Sequence, residues 1–315
     1  MKVSVCICTY SRYVLLQRLL ESLKQAELKD LSPDATVDVI VIDNHPTAET
    51  AALCRQLAAT FPVPLRYVEE HERGISQARN RAAEVALAAG ADFIAFIDDD
   101  DVPRPDWLRE LLLQQRDTGV DLVFGCWELA PEVPEWAIRS DIFKSEAPEN
   151  DRHKKGSYGL PWMASTCNVL IGRDTLEDIR GQGAIFDPGL SHSGGEDKDF
   201  FIRALARGAT MASASYSIVV RHHEPERYSA RGLLKRGFKN GCSRMKKIRS
   251  HSGLWPSISR TVFSCLKFLV VLLTLPFCVV SRGMFMHQVY RLGKATGVVY
   301  TFMTGKSYTY YSGEP

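Results

Sequence analysis

Residues Phe93–Leu108 read FIAFIDDDDVPRPDWL. Five apolar residues, Phe93 to Ile97, lead straight into four consecutive aspartates, Asp98 to Asp101. A short apolar run with no polar face is what a strand buried on both sides requires. The aspartates have ordinary pKa values of about 4 and repel one another at neutral pH. An apolar strand that ends in such a cluster predicts a ligand or a cation at its carboxyl end. The plainer alternative is an exposed acidic turn capping a helix that begins at Asp106.

Working outward, the first 120 residues alternate strand and helix. Val3–Cys8, Asp38–Ile42 and Leu65–Val68 read as strands beside Phe93–Ile97. Val14–Gln25 carries a leucine stripe at helical spacing, and Ala48–Thr60, Ser76–Ala89 and Asp106–Thr118 read as further helices. This alternation with short connections predicts an α/β fold, Rossmann-like, with a mainly parallel central sheet flanked by helices. Ligands of such sheets bind beyond the carboxyl ends of the strands. Thr9, Asp43 and Asp98 to Asp101 all stand at those ends, so three polar clusters converge on one rim.

Beyond Val120 the pattern loosens. Leu122–Trp127 and Ser165–Ile171 read as strands, separated by a loop-rich stretch with Pro131, Pro134 and Pro148 that runs to Gly159. Asp197–Arg207 reads as a helix closed by Gly208, and Thr210–Val220 as a last strand ending at His222-His223-Glu224-Pro225. The expected organisation is a nucleotide-binding half over 1–120, an acceptor-binding and catalytic half over 121–240, and a basic, apolar, helical tail over 241–315.

With 45% apolar and 24% charged residues the chain can bury a full core, which excludes a disordered protein. A net charge of +2 gives no reason to expect a nucleic-acid partner. The charge is uneven, however: Arg221 to Arg249 hold ten Lys or Arg against two Glu, which favours a local anionic partner or a solvated basic surface. The eight cysteines show no disulfide or zinc spacing and fit free thiols in a reducing compartment. The opening MKVSVCICTY lacks the pattern of a signal peptide, so a cytosolic catalytic part is expected. In the tail, Val262–Val280 is apolar except for Lys267, but its uninterrupted part is short for a span and contains Pro276. It reads as membrane-associated, either spanning the bilayer or lying on it, beside the basic flank RMKKIR at Arg244–Arg249.

On an extended chain Asp98 and Asp100 would share one face and Asp99 would point away. Paired carboxylates at a ligand rim suit a hard cation, Mg²⁺ or Mn²⁺, which shares its coordination with phosphates. The substrate is therefore expected to be a nucleotide. Glycosyl transfer, nucleotidyl transfer and non-catalytic nucleotide binding all remain open at this point. No G-x-x-x-x-G-K-[ST] loop occurs, and no G-x-G-x-x-G follows the first strand. Downstream, HSGGEDKDFF places Glu196 and Asp197 after two glycines at a helix start. A carboxylate there can serve as general base for an acceptor hydroxyl, or merely cap the helix.

VSVCICTYSR, VIDN, RGISQARNRA, FIDDDD and GGEDKDFF occur in this order, and together they resemble family 2 glycosyltransferases of GT-A fold, especially bacterial exopolysaccharide glucosyltransferases of the succinoglycan type. The resemblance implies an inverting, metal-dependent transfer of a hexose, with glucose expected, from a UDP-sugar to a lipid-linked or saccharide acceptor at the cytoplasmic face of a bacterial inner membrane. It implies that Thr9, Tyr10, Arg12, Asp43, Arg73, Gly74, Arg79, Asn80, Asp98, Asp99 and Arg236 contact the nucleotide sugar. Asp100, Asp98 and His223 would hold the metal, with His222 an alternative to His223. Asp197 would be the base and Glu196 its helper. Two departures stand out: the common DDGS is here Asp43-Asn44-His45-Pro46, and the Q-x-x-R-W motif of processive members is absent, which favours addition of single sugars.

Overall fold

The computed structural model describes residues 1–28, 31, 35–140, 142–143, 164–191, 194–252 and 254–306. Most of the loop-rich stretch expected up to Gly159, Pro148 included, lies outside the described residues. In chain order the elements are β1 (Lys2–Thr9), α1 (Tyr13–Gln25), β2 (Thr36–Asp43), α2 (Ala48–Ala58), β3 (Leu65–Glu69), α3 (Ile75–Ala88), β4 (Phe93–Asp98), β5 (Asp101–Pro103), α4 (Trp107–Thr118), β6 (Leu122–Leu129), α5 (Glu135–Ile138), β7 (Asn168–Gly172), α6 (Arg173–Arg180), α7 (Glu196–Ala206), β8 (Met211–Arg221), α8 (Ala230–Ser252), α9 (Leu254–Thr274) and α10 (Arg282–Thr304).

The chain divides into two units. The first comprises Met1–Leu129 and Ser145–His222, and the second Ala130–Lys144 and His223–Pro315. One eight-stranded sheet, in the order β3-β2-β1-β4-β7-β6-β8-β5, forms the centre of the first unit. β3, β2, β1 and β4 are mutually parallel, as the alternation of strand and helix predicts. β7 then enters antiparallel between β4 and β6, β8 runs parallel to β6, and the short β5 closes the edge antiparallel to β8.

Side-chain alternation along the strands feeds two cores. Val3, Val5 and Ile7 face the leucines of α1 (Leu16, Leu19, Leu20, Leu23) and Trp107 of α4. Cys6 and Cys8, two residues apart, face the other way, towards α3 and α7. The alanines of α3, Ala78, Ala82 and Ala86, let that helix sit so close that Cys6 Sγ lies 3.9 Å from the Ala82 carbonyl. A buried leucine contributes about 1.5–3 kcal/mol, so the α1 stripe alone is a large part of what fixes the helix to the sheet. All eight cysteines are free thiols.

In the second unit α8, α9 and α10 are the main elements. α8 and α10 touch along paired glycines: the faces of Gly237 and Gly241 lie against the α10 backbone at Tyr290, Lys294 and Val298, and Gly293 and Gly297 lie against the α8 backbone at Leu234, Phe238 and Cys242. Each set is a G-x-x-x-G spacing, which lets two helices approach backbone to backbone. Trp255–Cys278 is long and apolar enough to cross a membrane by length and composition, and little of it is buried within the protein.

Candidate active site

Strand register assembles the rim. Thr9, the last residue of β1, pairs with Asp43, the last of β2, and Cys8 pairs with Asp98, the last of β4. The polar residues that follow three apolar strands therefore stand side by side. The chain turns sharply after Thr9, with Ser11 in the left-handed region (φ 51°), and this brings Arg12 back over the aspartates.

The four aspartates are not one extended run. β4 ends at Asp98, Asp99 and Asp100 form a turn, and β5 begins at Asp101. Strand alternation thus cannot be carried through the cluster, and this corrects the expectation that Asp98 and Asp100 share a face as neighbours on one strand. Each aspartate has its own partners. Asp99 is buried and accepts hydrogen bonds from Thr9 Oγ1 and Arg12 Nη1, both at 2.8 Å. Burial pushes the Asp99 carboxyl up to about 6 against the opposing pull of Arg12. Burial also opposes the charge of Arg12, but Asp99 and Asp100 outweigh it and raise its pKa. Asp101 is fully buried and takes Arg221 in two bonds, from Nε at 2.8 Å and Nη2 at 2.7 Å. The Arg221 guanidinium in turn lies 4.8 Å from the centroid of the Trp127 ring.

Asp98 keeps 37% of its side chain open, with Arg79 Nη2 and Arg221 Nη2 each 3.8 Å from one of its oxygens. It is still enclosed deeply enough that desolvation, only partly offset by Arg79, raises its pKa. Arg12 Nη1 stands 3.8 Å from Asp100 Oδ2, and the Asp100 carbonyl accepts from the His222 amide. Among the described residues, Asp98, Asp101 and Cys167 place one donor atom each within 4.8 Å of one another. This trio is poorly suited to Mg²⁺ or Mn²⁺: Arg221 already neutralises Asp101, and burial pushes the Cys167 thiol up to about 11. Carboxylate oxygens, which Asp98 and Asp100 also offer, are the hard donor type that such a cation takes.

Arg79 links this cluster to Glu196. Its Nη1 donates to Glu196 Oε1 while Nη2 faces Asp98. Glu196 is buried, its Oε2 has no hydrogen-bond partner, and burial raises its pKa despite Arg79. Gly194 and Gly195, at φ 74° and 97°, occupy backbone conformations that favour glycine and deliver Glu196 and Asp197 into the first turn of α7. Asp197 is half-buried, and its Oδ1 accepts from the Lys198 amide at 2.7 Å.

The remaining candidates divide. Asp43 is buried, holding the Tyr67 hydroxyl and the His45 amide at 3.0 Å each, and the Tyr10 and His45 rings lie 5.2 Å apart beside it. Gly74 adopts φ 146° and caps α3, while Arg73 is exposed. Asn80 spends its amide on the backbone of Phe186, donating to the carbonyl and accepting from the N–H at 2.8 Å each, which fastens α3 to that loop. His223 and Arg236 belong to the second unit and meet at Phe143: the His223 ring lies 5.8 Å from it, and the Arg236 guanidinium sits 4.7 Å above it. His223 Nδ1 is 3.0 Å from the Tyr228 hydroxyl.

Three structural residues escape a reading of motifs. Asn44 accepts from the Gly74 amide at 2.8 Å and donates to the Glu70 and Glu72 carbonyls, so it holds the loop before α3 in place. Asn168, buried in β7, bonds the Cys126 and Ser217 carbonyls where the β6–β8 register shifts. Arg221 closes the aspartate cluster. An asparagine at the head of an apolar strand and an arginine at the end of another were the available signals.

Residues 4–180 match glycosyl transferase family 2, and residues 93–309 match glycosyl transferase family group 2. The chain is 34% identical to the succinoglycan biosynthesis protein ExoM of Rhizobium meliloti (strain 1021), over 76% of this chain and 72% of that protein. It is 28% identical to the glycosyltransferase AglE of Haloferax volcanii over 56% of this chain and 54% of the relative. The fold is similar to the mannosyltransferase PcManGT of Pyrobaculum calidifontis, solved with GDP-Man and Mn2+ (TM-score 0.61, 16% identity, 97% of this chain and 88% of the other). It is also similar to S. aureus TarS in complex with UDP-GlcNAc (TM-score 0.54, 14% identity, 97% and 93%). The chain belongs to glycosyl transferase family 2. It is a glycosyltransferase of GT-A fold, related to proteins of exopolysaccharide biosynthesis.

Proposed function

We propose that the protein transfers a hexose, glucose first among candidates, from a UDP-sugar to a lipid-linked or saccharide acceptor, with inversion and with Mg²⁺ or Mn²⁺, at the cytoplasmic face of a membrane. The observation that carries this reading is the register of Thr9, Asp43 and Asp98 at one rim, with Arg79 joining Asp98 to Glu196 beside Asp197. Residues 1–120 would supply the donor site and 121–240 the acceptor side. Asp43, with the Tyr10 and His45 rings near it, is the candidate contact for the base. Arg12, Arg79 and Arg73 are the candidate cations for the diphosphate. Asp98 and Asp100 would hold the cation, which when bound supplies charge stabilisation to the departing diphosphate. A fold relative solved with Mn2+ supports a divalent cation.

Asp197 then takes the proton of the acceptor hydroxyl as its oxygen bonds to the anomeric carbon. The bond from that carbon to the diphosphate breaks on the opposite face, so configuration inverts and UDP leaves. Glu196, pinned by Arg79, positions Asp197 and the acceptor. The test is a panel of nucleotide sugars incubated with membrane lipid extract, with and without EDTA, for wild type and Asp197→Asn. Transfer should need the cation and fall by about 10²–10⁴-fold in the variant, the usual share of a positioned base, while UDP binding persists. Undiminished transfer by the variant would remove Asp197 from the role. Release of pyrophosphate from a nucleoside triphosphate would replace the whole reading with nucleotidyl transfer.

A further inference from the structure

Residues 230–306 contain fourteen Lys or Arg and no Asp or Glu. Three helices built from this stretch therefore have no carboxylate of their own to answer their charge. The cations are not spread evenly. Arg244 of α8, Arg260 and Lys267 of α9, and Arg291 and Lys294 of α10 line one cavity of about 540 Å³, with His287 also in its wall and, among the described residues, no acidic one. Burial first, and then the neighbouring Arg260, lower the pKa of Arg244 from its ordinary value, against the opposing pull of Tyr290. Lys267 Nζ rests 4.4 Å from the centre of the Phe263 ring, and Lys294 Nζ 5.8 Å from that of Tyr290.

The rest of the wall is apolar apart from Ser264 and Tyr290: Phe263, Leu266, Val270 and Val271 from α9, and Ala295 and Val298 from α10. Phe263, Leu266 and Val270 lie at helical spacing, and the stripe continues to Leu273, which is 73% exposed outside the cavity. An apolar track thus runs out of a cationic pocket along a helix whose composition suits a bilayer.

We propose that this cavity binds the phosphate headgroup of a membrane phospholipid, with an acyl chain lying along the Phe263–Leu266–Val270–Leu273 stripe. Charge complementarity selects an anion. Three guanidiniums offer planar, paired donors that suit phosphate oxygens. The apolar track selects a lipid over a free ion or a nucleic acid, since those ligands leave it bare. The site is built within the second unit and does not depend on which sugar is transferred.

The test is native mass spectrometry of the full chain in non-ionic detergent, titrated with dioleoyl phosphatidic acid and with dioleoyl phosphatidylcholine. One phosphatidic acid per chain should be retained, at least tenfold more tightly than phosphatidylcholine. Arg260→Gln with Lys267→Gln should weaken phosphatidic acid binding by about 100-fold, as expected for two charge-assisted hydrogen bonds, and abolish the preference. Lys246→Gln with Arg249→Gln removes the same charge from α8 outside the cavity and should retain it. Should the first pair fail to fold, Arg291→Gln alone reads the same site. Equal binding of the two lipids would leave only apolar contact and no phosphate site, and equal losses in both pairs of substitutions would reduce the cavity to diffuse electrostatics; either overturns the proposal. Displacement by millimolar inorganic phosphate would make it a free-anion site, and a polyprenyl phosphate bound tenfold tighter than phosphatidic acid would make it an acceptor site. Either result overturns the proposal.

Discussion

Arg221 grips both oxygens of Asp101 across the antiparallel pairing of β5 with β8, at 2.8 and 2.7 Å, with Asp101 fully closed to solvent and Arg221 largely so. This pair fixes the edge strand on which the aspartate turn ends. Burial opposes the charge of Arg221, but Asp101 outweighs it and holds the guanidinium ionised. Removing one partner leaves the other charge buried, which costs about 3–5 kcal/mol. Arg221→Met should therefore lower the unfolding midpoint of the first unit by about 6–20 °C. Arg221→Met with Asp101→Leu removes both charges and should recover most of the loss. A double variant as unstable as the single one would show that the pair is not what holds β5.

Asn44 makes a second prediction. Its side chain receives the Gly74 amide and donates to two carbonyls of the preceding loop. In Asn44→Ala the Gly74 amide loses its acceptor, at about 1–3 kcal/mol for a buried group left unpaired. Hydrogen exchange at Gly74 should then quicken by about 5–150-fold, while amides of β1 and β4 keep their protection. Unchanged exchange at Gly74 would mean that α3 and its own cap, not Asn44, order the loop.

These two residues also mark how far the sequence could be read. The parallel half of the sheet was legible because apolar strands and a leucine stripe obey short periods, and the rim followed from where those strands stop. Asp98, Asp100, Glu196 and Asp197 stood out because carboxylates after an apolar run or two glycines are costly without a purpose. What stayed hidden depends on partners distant in sequence. Asp101 had no assigned role until Arg221, 120 residues later, was placed against it. The turn at Asp99–Asp100 broke the two-residue alternation that had set Asp98 and Asp100 on one face. Asp99 proved to be tied to Thr9 and Arg12, three residues expected to meet a ligand and found to meet one another as well. The strand β5, three residues long, and the eight-residue helix α6 were too short to stand out as elements.

Lys239, on α8, gives a dependence on pH. Burial, then Lys235 and Arg227, lower its pKa from 10.5 to about 8. The folded state thus binds a proton less tightly than the unfolded chain does. Between about pH 8 and 10.5 the unfolded chain holds more protons, so stability should rise with pH through that window, and the cost of the charged lysine is fully present below it. Lys239→Gln has no proton to lose there. The difference in midpoint between wild type and Lys239→Gln should move in favour of wild type as pH is raised from about 8 to 10.5. A constant difference would place Lys239 in ordinary solvent.

The glycine contact between α8 and α10 decides how the C-terminal helices should be probed. A Cβ on Gly241 would stand 2.9 Å from the Val298 nitrogen and 3.0 Å from Gly297 Cα, and would press on the Lys294 carbonyl. These are backbone atoms, which cannot step aside as a side-chain tip can, so the helices must part. Overpacking of this kind costs about 1–3 kcal/mol. Replacing glycine by alanine inside a helix returns about 0.8–1 kcal/mol of propensity. A single Gly241→Ala should therefore be mildly destabilising, and Gly241→Ala with Gly293→Ala clearly so. Gly283→Ala, where the nearest atom is a side-chain carbon at 3.5 Å, should be neutral or better. The same contact means that removal of α10 would uncover the glycine face of α8, so the C-terminal helices are best tested by substitution. Thermal unfolding of the full-length variants in detergent, with proteolysis across α9, separates the cases. Equal stability of Gly241→Ala/Gly293→Ala and wild type would show that the two helices do not pack backbone to backbone.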